Sequence, residues 1–149
     1  MNILENYLIT HFETDQLSER FGMRALEVNN EQWLLTAITL KEHPDLCFNQ
    51  LVCESVTDRG DKGFELFGHL RSYKTGEELV LVTYIGKEHE VPEIESLAGI
   101  WGSAELFEDE IYDLFGIKFN NHPFLRRIML GEDFEGYPLR KSYKFPENE

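Results

Sequence analysis

The feature that most constrains the fold is an amphipathic, acidic stretch between Trp101 and Arg127. At about 100° per residue, its apolar side chains fall on one arc of a helical wheel and three acids fall opposite. The arc holds Ala104, Phe107, Ile111, Leu114 and Phe115, and the opposite acids are Glu105, Asp109 and Asp113. Ser103 is a suitable N-cap and Gly116 a suitable C′ residue with positive φ, so we predict a helix over 104–115. The remaining chain has to cover the apolar arc of this helix.

Two glutamates, Glu108 and Glu110, flank the apolar arc on opposite sides, at the edge of the contact that the helix makes. Basic partners for such partly desolvated carboxylates follow soon in the chain, as Arg126 and Arg127. The planar guanidinium group suits a desolvated carboxylate better than an ammonium group does. We therefore predict that at least one of these arginines forms a buried pair. Contact within the chain and contact with charges of a partner are both sterically feasible.

A search for catalytic chemistry starts from Glu108, Glu110 and His122, because carboxylate and imidazole groups serve both as acid–base catalysts and as metal ligands. The helix directs the two glutamates to widely separated sides, so they cannot converge on one ion unaided. The other histidines are scattered without ligand spacing: His11, His43, His69 and His89. A Gly-rich phosphate loop and a cysteine cluster are also missing from the sequence. We predict no catalytic, cofactor-binding or metal-binding residue in this chain.

Composition narrows the class of protein. A length of 149 residues with 42% hydrophobic residues fits one globular domain with a substantial core. The net charge of −14 argues against binding to nucleic acid or to an anionic membrane surface. No apolar run approaches the roughly 20 residues that cross a bilayer, so we expect a soluble, cytoplasmic chain without direct membrane insertion. Cys47 and Cys53 fit no metal spacing and are expected to be ordinary buried residues.

The first 90 residues indicate a small α+β unit. Helical patterns cover 2–12, 16–21 and 32–41, with the second pattern ending at Gly22. Strand patterns cover 25–29, 50–57, 64–73 and 79–85. The last three strands have short Gly-containing connections and should be antiparallel neighbours, whereas the first should join them in parallel across the third helix. We predict a four-stranded mixed, mostly antiparallel sheet with helices packed on one face.

The chain changes character after Ile117. Only five of the 28 acids follow it, against six of the 14 Lys and Arg residues. Asn, Gly and Pro residues interrupt this segment, yet it keeps more apolar side chains than a disordered tail normally carries. Such a segment either folds back over its own domain or covers another subunit. We predict a globular α+β domain over 1–117 and an extended C-terminal arm over 118–149 that lies on a partner subunit.

The sequence from Phe107 to Met129 and the run FEGYPLRKSY together resemble the C subunit, the 30 kDa-type subunit, of the NADH-quinone oxidoreductase family, which is respiratory complex I. The matching positions are Glu108, Glu110, Asp113 to Gly116, Phe119, His122, Pro123, Leu125, Arg126, Arg127, Gly136 and Pro138 to Lys141. The chain departs from the family at Asp109, where Arg is usual, and at Tyr137, where His is usual. The first departure removes a positive charge, and the second removes a titratable group.

The resemblance implies a cofactor-free structural subunit of the peripheral arm, which packs on the large hydrogenase-like subunit near the quinone site. NADH, flavin, iron–sulfur clusters and quinone would be bound by partner subunits, and the chain would lie peripherally on the cytoplasmic side of the cell membrane. The subunit-interface residues implied are Glu108, Glu110, His122, Pro123, Arg126, Arg127, Arg140 and Lys141.

Two other readings stay open on sequence grounds. One is the equivalent subunit of a membrane-bound energy-converting hydrogenase or of a ferredoxin-fed relative. The other is a free-standing hydrolase or isomerase that uses Glu108, Glu110 and His122. The sequence does not identify the electron donor, the quinone or the coupling ion.

Overall fold

A computed structural model describes residues 2–86, 92–131 and 133–144 of the chain. The helices and strands, in chain order, are α1 (Ile3–His11), β1 (Leu17–Arg20), β2 (Met23–Glu27), α2 (Trp33–Glu42), β3 (Gln50–Asp58), β4 (Phe64–Arg71), β5 (Glu78–Ile85), β6 (Glu93–Glu95), α3 (Ala104–Phe115) and β7 (Lys118–Asn120). Residues 145–149 of the predicted arm and His89 lie outside the described residues.

The main sheet has five strands in the order β1-β2-β5-β4-β3. β2 and β5 are parallel, and the other neighbours are antiparallel. The predicted mixed, mostly antiparallel sheet is therefore confirmed, with one strand more than the four expected. β6 and β7 form a separate parallel pair that flanks α3 in sequence.

The additional strand, β1, covers the segment for which a second helix was predicted, and that prediction was wrong. The residues between β1 and β2, Phe21 and Gly22, have φ values of 56° and 75°. Two successive residues with positive φ form the tight turn that matches the twist of a β-hairpin. Gly22 therefore lies in the turn of a β-hairpin, whereas the sequence pattern predicted that it ends a helix.

The core lies between one face of the main sheet and the three helices, as predicted. α1 contributes Leu4 and Leu8, and α2 contributes Trp33, Ala37 and Leu40. The strands contribute alternating residues such as Leu66 and Leu70 of β4, as expected for a sheet buried on one face. This packing places α3 against β3, next to the start of the arm.

The opposite face of the sheet carries a smaller apolar cluster, which contacts the tip of the β1–β2 hairpin. Phe67, Val80 and Val82 are buried there. The ring of Phe21 packs edge-on against Phe67, with 5.4 Å between ring centroids. The twist of a sheet brings diagonal corners towards the same face, which is how the β1–β2 tip can reach β4.

The two ends of α3 differ in how well the sequence predicted them. Gly116 has φ 75° and its N–H donates to the Tyr112 carbonyl, so the predicted C-terminus is confirmed. Ser103 does not cap the N-terminus, because its hydroxyl donates to the Leu51 carbonyl instead. The cysteine prediction was also wrong, since Cys47 is half-buried and Cys53 is exposed on β3.

Candidate functional site

The acids of α3 lie mostly inside the protein. Glu108, Asp109 and Asp113 are all buried, whereas Glu105 and Glu110 are exposed. Helical periodicity placed Asp109 and Asp113 opposite the apolar arc and Glu108 at its rim, with Glu108 only partly desolvated, but Glu108 is fully buried. The reason is that α3 is covered on more than one side, by the sheet and by the arm.

Asp113 anchors the arm to α3. One carboxylate oxygen, Oδ2, accepts hydrogen bonds from three successive backbone N–H groups, those of Ile128 (3.2 Å), Met129 (2.7 Å) and Leu130 (3.0 Å). The other oxygen, Oδ1, lies 3.3 Å from Nε of Arg127. Converging N–H groups form a concave site for an anion, and charged acceptors make the stronger hydrogen bonds. A single buried carboxylate therefore fixes the path of the chain after β7.

Arg127 ties the arm to itself as well as to α3. Its guanidinium group donates to the carbonyl oxygens of Phe134 and Gly136, and to that of Asp113 at 3.3 Å. The guanidinium also lies over the rings of Phe134 (5.5 Å) and Tyr137 (4.7 Å). Backbone carbonyls and aromatic faces are the partners that a planar, weakly hydrated cation prefers. Arg127 thus closes a loop of the arm beside the helix.

The C-terminus of α3 is covered by Arg140. Its side chain donates to the Phe115 carbonyl and, at 3.4 Å, to that of Gly116. A cation at this end of a helix complements the partial negative charge of the free carbonyls. Burial lowers the pKa of Arg140 from its ordinary high value. The next residue, Lys141, donates its backbone N–H to Asp58 at 2.8 Å and so joins the arm to β3.

His122 sets the start of the arm. Its side chain is fully buried, with Nε2 donating to the Glu105 carbonyl at 2.9 Å and lying 3.6 Å from an Asp109 oxygen. Nδ1 accepts the N–H of Phe124 at 3.0 Å, which fixes the turn at the exposed Pro123. Asp109 occupies the position at which Arg is usual in the family that this sequence resembles. It contacts His122, the first residue of the matching segment 122–127.

The carboxylate partners of the two arginines differ from those proposed. Arg127 pairs with Asp113, and the backbone N–H of Arg126 donates to Asp109 at 3.3 Å. The Arg126 side chain is exposed and lies over the Phe124 ring at 5.0 Å. Glu108 is directed to the opposite side of α3, where it accepts from Ser96 and Leu97.

Glu54 of β3 is a buried acid that the sequence analysis missed, and it lies in contact with Glu108. The alternation of residues in β3 indicates the face of the sheet on which Glu54 lies, but it does not identify the residue that Glu54 contacts. Asp58 was missed for the same reason. Asp113 was recognised as part of the motif DLFG but was not singled out as a contact residue.

The proposed acid–base or metal set is not assembled. Glu108 is buried beside Glu54, whereas Glu110 is exposed on α3. Over residues 2–86, 92–131 and 133–144, the structure contains no cluster of three His, Cys, Asp or Glu side chains that could hold a metal ion. Among these residues, none of the helices combines the length and apolar character that a membrane span requires.

The arm presents apolar side chains to solvent. They belong to a segment whose backbone is held by Asp113, Arg127 and Arg140. The exposed residues, named here the arm surface, are Phe124, Ile128, Met129, Phe134 and Leu139. Several exposed apolar side chains on a held backbone are typical of surfaces that bind another protein.

These features define an α+β protein in which buried charges on one helix hold a C-terminal arm with an apolar surface. The family model described as "Respiratory-chain NADH dehydrogenase, 30 Kd subunit" matches residues 26–149. The chain therefore belongs to this family, as its motifs indicated.

Curated relatives agree with the family assignment. The chain is 38% identical over 146 residues to the C subunit of the NADH-quinone oxidoreductase of Chloroherpeton thalassium, covering 88% of this chain and 59% of that protein. It is 36% identical over 121 residues to the C subunit of Chlorobium phaeobacteroides, covering 80% and 72%. A protein of Phocaeicola vulgatus, named as the C/D subunit of the same oxidoreductase, is 43% identical over 86 residues, which cover 58% of this chain and 16% of that protein. The chain thus spans only part of its relatives' length.

Solved structures share the fold. The trypsin-resistant fragment (1–134) of Nqo5 has a TM-score of 0.65 at 24% identity, covering 83% of this chain and 96% of that one. A chain of the archaeal membrane-bound sulfane sulfur reductase has a TM-score of 0.77 at 20% identity, covering 95% and 84%. These two likenesses support the α+β architecture.

Proposed function

We propose that this chain is a cofactor-free structural subunit of the peripheral arm of a complex I-type NADH:quinone oxidoreductase. Membership of the 30 kDa subunit family over residues 26–149 is the observation that carries the proposal. NADH, flavin, iron–sulfur clusters and quinone would then be bound by partner subunits, and electron transfer would be coupled to ion translocation by the complex. The chain would be a peripheral component on the cytoplasmic side of the cell membrane.

The arm surface is the docking site for the large, hydrogenase-like subunit in this proposal, with the iron–sulfur subunits as further partners. Met129 is 62% exposed although its own N–H is held by Asp113, so the structure displays this apolar side chain on a fixed backbone. The relative named as a C/D subunit supports the pairing, because its name joins the C subunit with a second subunit. Burying the arm surface would contribute about 25 cal/mol per Å² of apolar area, less the cost of association.

The predicted interface residues would take two roles. Exposed side chains would contact the partner directly, namely Glu110, Pro123, Arg126 and Lys141. His122, Arg127 and Arg140 are more buried and would act from within the chain by holding the arm in its docking conformation, whereas the buried Glu108 would act by holding α3 to the segment at Ser96 and Leu97. In this arrangement the carboxylates of α3 supply structure and perform no catalysis.

The test compares Met129→Asp with a matched control, Ile9→Asp. Ile9 of α1 is 60% exposed, close to the value for Met129, but lies outside the arm. Each tagged chain is expressed in cells that contain the complex, the complex is purified, its subunits are identified by mass spectrometry, and NADH-dependent quinone reduction is measured. We expect the control to assemble normally, whereas Met129→Asp loses the large subunit. Normal assembly of Met129→Asp would contradict docking through the arm surface, and purification without complex I subunits would contradict the proposed function.

A second candidate is the equivalent subunit of an energy-converting hydrogenase or of a ferredoxin-fed relative. The observation in its favour is the fold shared with the archaeal sulfane sulfur reductase chain. The same purified complex separates the candidates. NADH oxidation with quinone reduction supports complex I, whereas hydrogen evolution with nickel in the preparation supports the hydrogenase.

A further inference from the structure

Two glutamates lie against each other in the contact between α3 and β3. Glu54 is 4% exposed and Glu108 is fully buried. The arm is held by two other acids of this helix, Asp109 and Asp113. Isolated ionised groups are strongly disfavoured in such a position, so the hydrogen-bond partners of the pair decide its protonation.

The hydrogen-bond donors around the pair serve only one of the two carboxyl groups. Glu108 accepts from the Ser96 hydroxyl at 2.5 Å on Oε1 and from the Leu97 N–H at 2.9 Å on Oε2. Both oxygens of Glu54 are buried and receive no hydrogen bond from a protein donor in the described part of the chain. The neighbouring carboxyl group is that of Glu108, whose charge acts on Glu54.

One proton bound between the two carboxyl groups would remove the repulsion between them. Ionised carboxylates only accept hydrogen bonds, so two ionised groups would repel each other, whereas a protonated one donates to its neighbour. We propose that Glu54 and Glu108 share one proton, and that the contact between α3 and β3 is therefore an interior proton-binding site. The proton resides on Glu54 and is donated to Glu108, because Glu108 already has donors that stabilise its charge.

The groups around the pair also favour placing the proton on Glu54. Burial, followed by the charge of Glu108, raises the pKa of Glu54 well above its ordinary value, and Cys53 on the same strand adds to the rise. Burial also raises the pKa of Glu108, but the donors Leu97 and Ser96, and then His122 from the arm, act in the opposite direction. Glu108 is therefore the member of the pair whose negative charge is better stabilised.

A metal ion is the competing occupant. A cation would need further ligands, and the described part of the chain contains no group of three His, Cys, Asp or Glu side chains placed to hold one. The oxygens of Glu108 are also already in use as acceptors. The proton is therefore the occupant that the geometry favours.

Sharing a proton has a consequence for stability. The unfolded chain releases this proton above the ordinary Glu pKa of about 4.3, whereas the folded chain keeps it up to the raised pKa of the pair. Over that interval the folded state binds one proton more than the unfolded state. The folding equilibrium constant should accordingly fall by up to about tenfold per pH unit as the pH rises, and level off above the folded pKa.

The test follows urea unfolding of the full chain across this pH interval. Glu54→Gln supplies a permanent N–H donor to Glu108 and should remove the tenfold contribution to the slope. The control Glu110→Gln changes an exposed glutamate of the same helix and should keep the wild-type slope. A wild-type slope in Glu54→Gln would overturn the proposal. So would a stability that depends on added Ca²⁺ or on EDTA, since it would indicate a cation in place of the proton.

A second measurement needs no variant. The infrared carbonyl stretch of a protonated carboxyl group should persist in the folded wild-type chain at neutral pH and disappear on unfolding. Its absence from the folded chain would overturn the shared proton, even if Glu54→Gln failed to fold. In Glu54→Gln that folds, the same band should be absent.

Discussion

Replacing Asp113 by Asn should release the arm from α3 while the body of the protein, residues 1–117, stays folded. Asparagine has nearly the same volume but no charge. It therefore weakens the three hydrogen bonds from Ile128, Met129 and Leu130, and its amide nitrogen cannot accept from Arg127. The substitution separates the effect of charge from that of packing.

The magnitude follows from these contacts. A hydrogen bond to a charged group contributes about 1.5–3 kcal/mol and a neutral one about 0.5–1.5 kcal/mol, so three weakened bonds amount to about 3 kcal/mol. Arg127 keeps its carbonyl partners at Phe134 and Gly136, which moderates the loss of its ion pair. The measurable free-energy change cannot exceed the free energy with which the arm binds to α3, because an arm that is already released makes none of these contacts. We expect the population of the released arm to rise on the order of 100-fold.

Hydrogen exchange is the assay that detects this release. The amides of residues 128–130 should exchange faster by that factor in Asp113→Asn. Urea unfolding, followed by the fluorescence of Trp33 and Trp101 in the body, should change less. Glu110→Gln, on the exposed side of the same helix, serves as the control. Unchanged exchange at residues 128–130 in Asp113→Asn would refute the role of this carboxylate as the anchor.

Two further predictions concern the close contact at Gly116 and the ion pairs of the buried Glu65. Gly116→Ala should lower the thermal unfolding temperature by several degrees, because a Cβ at φ 75° would lie 2.6 Å from the Tyr137 ring; Gly76→Ala, also at φ 75° but with no atom within 4 Å, should cost only about 1 kcal/mol. Equal effects of the two glycine substitutions would contradict the close contact. Glu65 is buried and pairs with Arg20 and Arg59, whose side chains are 29% and 46% exposed, so replacing both arginines by Ala should cost about 3–5 kcal/mol in urea unfolding, while Arg59→Ala alone should cost about 0–1 kcal/mol. An equally small loss for the double substitution would contradict the burial of an uncompensated charge at Glu65.

Local patterns predicted most of the fold because they depend on neighbours in the chain. The helix α3 and its end at Gly116 follow from periodicity and from the one residue type that tolerates a left-handed conformation. Strand β1 was missed because its four residues are too few to show a period, and because a glycine ends helices and makes hairpin turns equally well.

The contacts of the charged residues could not be predicted in the same way. Periodicity assigns each acid to a side of the helix but not to a partner, so Glu108 was placed at the rim of the apolar arc and Asp109 and Asp113 opposite it. Each acid is buried because another segment supplies a partner: the residues Ser96 and Leu97 for Glu108, and the arm for Asp109 and Asp113. At least one of Arg126 and Arg127 was expected to form a buried pair, but the sequence did not identify Arg127 as that residue or Asp113 as its partner.

By itself, the sequence determined the α+β class, the mixed sheet, the limits of α3 and the family, since repeating side-chain patterns and an ordered motif carry that information locally. Only the tertiary structure decided which carboxylates are buried and what they bind. The physical reason is that desolvation and hydrogen bonding depend on groups brought together from far along the chain, as Lys141 and Asp58 are. Tertiary packing therefore turned an acidic helix face into the anchor of the arm.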